Sequence, residues 1–98
     1  MVKRDKGNIG RLAIVSPTIS HYRHGPTAAR TVKIVGFRGD ARPGVPWVMV
    51  MRWSGEIDTI CGSNLTYVDG EPRECKAHWD RVKATMRQRL APMQEGRR

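Results

Sequence analysis

The chain is expected to be mainly β with one C-terminal helix, on three observations. Between residues 9 and 61, short apolar and β-branched runs are broken by Gly and Pro turn signals. From Glu71 onward the apolar spacing changes to three- and four-residue steps, through Cys75, His78, Trp79, Val82, Met86 and Leu90. The length, 98 residues with 39% hydrophobic, allows one domain with a thin core, and the patterning is too regular for a disordered chain.

The elements follow in order. Residues 1–8, "MVKRDKGN", read as a basic flexible arm. "IGRLAIVSP" is a strand stopped at Ser16-Pro17. "ISHYRHGPTAAR", Ile19 to Arg30, has no apolar period and reads as a long connector. "RTVKIVGF" is a second strand, Thr31 to Phe37, followed by a turn-rich connector, "RGDARPGVP", with turns at Gly39-Asp40 and Pro43-Gly44. In "WVMVMRW", Trp47, Met49, Met51 and Trp53 share one face and Val48, Val50 and Arg52 the other. Both faces are largely apolar, so both are expected to be covered. After Ser54-Gly55, "EIDTICG" reads as a strand with Ile57, Thr59 and Cys61 inward and Glu56 and Asp58 on a wet face. "SNLTYVDG" is short and turn-like, anchored by Leu65 and Val68.

The amphipathic helix is expected over residues 71–92, with a basic tail at 93–98. Pro72 suits the first helical position. Glu71 and Glu74 lie at the positive end of the dipole and Arg87 and Arg89 near the negative end. Pro92 is expected to end the helix near Ala91.

Short strands, a long first connector, tight later turns, a one-turn element and a closing helix together resemble a small SH3-like β-barrel of four to five antiparallel strands capped by an amphipathic helix. The resemblance is one of layout and covers residues 9–70. It implies that the helix covers the Trp47–Met49–Met51–Trp53 face. The alternative layout is an α+β meander packed on one helix.

Charge narrows the function classes. Eighteen Lys and Arg stand against nine Asp and Glu, and the excess lies in the first 49 residues, with nine basic and two acidic groups. Such a surface attracts phosphate backbones or acidic proteins. No apolar segment follows the basic N-terminus as a leader would require, and the longest apolar run, Val45 to Met51, is far too short for a membrane span. Two cysteines are too few for a disulfide framework, so a reduced, cytoplasmic protein is expected, without membrane partners.

Binding is the leading expectation. His21, Tyr22, Arg23, His24 and Arg30 combine cations with an aromatic in the long connector, as phosphate contact and base stacking require. Arg38 and Arg42 continue this in the next connector, which leaves from the opposite end of the second strand. Arg73, Lys76, Lys83 and Arg87 fall near one helix stripe, opposite Trp79 and Met86. The partner is nucleic acid, a nucleic-acid-handling complex or an acidic protein surface. A phage- or plasmid-type adaptor or inhibitor is the second reading, and the chain acts as a monomer or homodimer. The protein is expected not to be an enzyme. The nearest activity is a barrel-type ribonuclease assembled from His21, Arg23, His24 and Glu56. "HYRH" and "CKAH" carry zinc-type atoms, but neither half has standard ligand spacing. No metal or cofactor is expected.

Overall fold

The computed structural model describes residues 1–23 and 25–95. Five strands, β1 (Leu12–Val15), β2 (Thr31–Arg42), β3 (Val45–Met51), β4 (Ile57–Cys61) and β5 (Leu65–Tyr67), form one antiparallel sheet in the order β4-β3-β2-β1-β5. A four-residue helix, α1 (Thr27–Arg30), precedes β2, and a long helix, α2 (Pro72–Glu95), closes the chain. The mainly β expectation with one closing helix is met.

The sheet is not closed: β4 and β5 are its edges, so the barrel expected from the sequence is not completed by strand pairing. It is nevertheless strongly curled. A flat five-stranded sheet would hold its edges about 19 Å apart. The 3-10 turn Gly62–Asn64, which joins β4 directly to β5, reaches about 14 Å at most from Cys61 to Leu65. The bend comes from β2, whose ladder with β3 slips between Ile34 and Gly36, Phe37 and Asp40, and Asp40 and Arg42. Those irregularities let β2 run on to Arg42. The turn expected at Gly39-Asp40 is therefore strand, and the hairpin turns only at Pro43-Gly44.

The inner face carries the main core: Ala13, Val15, Val32, Ile34, Val48, Val50, Ile60 and Leu65, with Val2 and Tyr22 brought in from outside the sheet. Two expectations are corrected here. Residues 1–8 are anchored through Val2 and Asn8 and are not a free arm, although the other side chains of the segment are exposed. Val2 is fully buried and its N–H donates to the Gly62 carbonyl at 3.0 Å, while the buried Asn8 side chain donates to the Lys3 carbonyl at 2.8 Å. Gly62 is needed for this approach, because a Cβ there would meet the Val2 carbonyl oxygen at 2.5 Å. The facing of β4 is also reversed. Its register with β3 pairs Val48 with Ile60 and Val50 with Asp58. Ile60 and Asp58 therefore point inward, and Ile57 is 47% exposed on the outside.

The second core lies on the outer face, where Cys75, Trp79 and Val82 of α2 pack on Leu12, with Ala28, Met51, Trp53 and Val68 around them. Pro72 begins the helix as expected. Glu71 caps it, its N–H donating to Glu74 Oε2 at 2.8 Å, which is half of a capping box. The helix runs past Pro92 to Glu95. Gly10, with φ +94°, seats its first turn, since a Cβ there would stand 3.0 Å from Pro72 Cβ. Among the described residues no helix is long and apolar enough to cross a membrane.

Candidate functional site

The long connector is a clasp as much as a loop. Ile19 packs on the core, Ser20–Tyr22 form a 3-10 turn, and Tyr22 is 2% exposed. Its hydroxyl donates to Asp58 Oδ2 at 2.6 Å. Arg52 Nε lies 3.0 Å from the same oxygen, and Arg52 also pairs with Glu56. The inward turn of Asp58 is explained by these two partners. Arg30 is engaged as well, donating to the carbonyl of Val15 at the end of β1 at 3.0 Å. The expected use of Tyr22 for base stacking is thus corrected: its ring is enclosed. His21 and Arg23 remain exposed, and His24 lies outside the described residues.

Burial, reinforced by Asp58, pushes the Tyr22 hydroxyl well above its ordinary value. A raised folded-state value means that the native state keeps its proton after the unfolded chain has lost it. Stability is complete below about pH 10 and falls as pH rises further. Alkaline titration of wild type should show this loss, and Tyr22→Phe should flatten the alkaline slope; equal slopes would refute the coupling.

The exposed aromatic is elsewhere. Trp47 is 39% exposed on the outer face of β3. It shares an open depression with Arg38, Gly39 and Thr59. α2 reaches Met51 and Trp53 but not Trp47, so the helix covers only part of the face it was expected to seal. Cys61 stands across from Trp47 in the β3–β4 register. Its Sγ lies 3.1 Å from Ser63 Oγ, and that hydrogen bond lowers the thiol's pKa; burial opposes this, and the Arg42 guanidinium adds to the lowering. Arg42 pairs with Val45, two residues before Trp47 on β3, so it lies at the same end of the sheet as Trp47. Asp40, the carboxylate between the two arginines in sequence, is taken by Arg4 at 2.9 Å. Among the described residues no ion pair engages Arg38 or Arg42.

The predicted cations thus fall into separate groups. His21 and Arg23 sit at one end of β2, and Arg38 and Arg42 toward the other. On α2, Arg73, Lys76 and Arg87 are exposed, while Lys83 pairs with Asp80 at 3.6 Å. At about 100° per residue Lys76, Lys83 and Arg87 flank the Trp79–Met86 stripe instead of opposing it, with Arg73 further round the helix, and Arg73 and Lys76 line one cavity together with Trp79. Sequence reasoning missed Lys33, which lines the same cavity from β2. Its signal was an isolated cation on a strand otherwise apolar from Val32 to Val35. Among the described residues no three His, Cys, Asp or Glu side chains come together as a metal site. No protein-family model, curated protein or solved structure matches this chain.

Proposed function

We propose that this is a small, basic, non-enzymatic binding protein that contacts nucleic acid, or a complex that handles it, mainly by electrostatics. The observation that carries the reading is Trp47: a solvent-open indole beside Arg38, with Arg42 at the same end of the sheet and neither arginine held by a carboxylate among the described residues. A base stacked on the indole, with its phosphates held by the arginines, uses each group for what it does best. Single strands are the favoured form because a duplex keeps its base faces covered. The SH3-like layout belongs to this proposal, supported by the strand order and the one-turn connection between β4 and β5. So does a cytoplasmic location, supported by two unpaired cysteines.

The test is a gel-shift titration of single- and double-stranded probes at two salt concentrations. With about three phosphates neutralised, single-strand affinity should fall roughly tenfold to twentyfold between 50 and 200 mM salt. Affinity unchanged over that range would overturn the proposal. The adaptor reading draws on Ile57, exposed on the same outer face as Trp47. A partner retained after nuclease treatment would favour it.

A further inference from the structure

A second concavity lies on the same outer face, between β2 and the first turns of α2. Its volume is about 340 Å³, and Gly10, Lys33, Pro72, Arg73, Cys75, Lys76 and Trp79 line it. That volume is at the small-molecule end of ligand pockets. Its composition is two-sided. Three cations come from two elements, Lys33 from β2 and Arg73 and Lys76 from α2. The remaining walls are the Trp79 indole, the Cys75 thiol, the Pro72 ring and the bare backbone of Gly10.

Among the described residues no carboxylate lines this cavity, and none of the three cations has an ion-pair partner. The helix terminus is not the attraction. Glu74 caps the Glu71 N–H, and the Glu74 and Cys75 N–H groups donate to the Glu71 carbonyl at 2.9 and 3.0 Å. The Cys75 thiol is engaged too, with the Gly70 carbonyl at 3.6 Å. What remains free is a cluster of three positive side chains beside a mostly apolar chamber. A matching ligand concentrates negative charge at one end and carries a compact apolar ring at the other.

We infer that this cavity binds a nucleoside phosphate, its phosphate on Lys33, Arg73 and Lys76 and its ring against the Trp79 side. The ligand is either a free mononucleotide or the phosphorylated terminal nucleotide of a strand. The second source is geometrically available, because Lys33 and Arg38 both belong to β2 and each lines one of the two concavities. The inference goes beyond strand contact at Trp47 and does not depend on it.

Calorimetric titration of the full chain tests it with a nucleoside monophosphate, the unphosphorylated nucleoside, inorganic phosphate, and short oligonucleotides bearing a 5′-phosphate or a 5′-hydroxyl. The monophosphate should bind saturably, with the nucleoside and inorganic phosphate each at least about tenfold weaker. The double variant Arg73→Ala/Lys76→Ala changes only exposed side chains, so thermal melting should match wild type while monophosphate affinity falls at least about tenfold. Trp47→Ala should leave that affinity unchanged. A phosphorylated oligonucleotide preferred over both its hydroxyl form and the free monophosphate identifies a strand end as the source; equal affinity for the free monophosphate identifies a mononucleotide. No saturable monophosphate binding, a nucleoside or inorganic phosphate binding as tightly as the monophosphate, or full affinity in a folded double variant overturns the inference. Strand binding through Trp47 would survive any of these results, so the two readings fail separately.

Discussion

Replacing Tyr22 by alanine is expected to destabilise the protein by about 3–5 kcal/mol, the usual cost of removing a buried aromatic ring. The ring belongs to the main core, and its hydroxyl is one of the two groups that hold Asp58 on the inner face. The substitution therefore opens a cavity and leaves a half-buried carboxylate short of a donor. In a domain whose whole stability is on the order of 5–15 kcal/mol, this loss approaches unfolding. Tyr22→Phe keeps the ring and should cost about 1–2 kcal/mol, the price of the unmade hydrogen bond. Urea denaturation followed by circular dichroism measures both. An alanine variant within 1 kcal/mol of wild type would mean that the connector is not anchored through this residue.

Trp47→Ala should behave in the opposite way. The side chain is substantially exposed on the outer face and belongs to neither core cluster. Its removal should cost about 1–2 kcal/mol of stability, well below the loss at Tyr22 and leaving the chain folded. Single-strand affinity should nevertheless fall by about 1–3 kcal/mol, the worth of one stacked base, or roughly fivefold to 150-fold. Arg38→Ala should weaken binding less and reduce the salt slope by about 0.7, the share of one phosphate on a single strand. Fluorescence anisotropy of a labelled oligonucleotide reads both. If Trp47→Ala binds as wild type does, the depression beside Arg38 is not the contact surface.

Much of the fold was legible because side-chain period reports backbone type. The apolar, β-branched runs of β1 and β3, bounded by Gly and Pro turn signals, and the three-to-four spacing from Cys75 to Met86 were enough to place sheet and helix. Facing was harder where the deciding partner is distant in sequence. Asp58 reads as outward on charge alone, yet Tyr22 and Arg52 reach it on the inner side, and the pairing of Val48 with Ile60 fixes the phase of the whole strand. Val2 was lost in a charged segment for the same reason: the Gly62 carbonyl that receives its N–H is far along the chain.

The candidate site was legible by composition and not by position. Cations beside an aromatic were sought in the connector, where Tyr22 turned out to be an anchor. Trp47 sits at one end of the most apolar run of the chain, with Trp53 at the other, and pattern reading left open which of the two is exposed. Its exposure depends on where α2 lands, and that is set by the seat between Gly10 and Pro72 and by Leu12, Met51 and Trp53. No local signal carries that information. The resemblance of layout helped with the order of elements but could not say which face the helix leaves open.

The docking of α2 on Leu12 and Gly10 also bears on biogenesis. On the ribosome, the apolar outer side of β1 and the end of β3 emerge well before the helix that shields them. Until α2 itself has been translated, the nascent polypeptide carries a greasy, unshielded flank of the kind that chaperones retain and that promotes clumping when synthesis stalls.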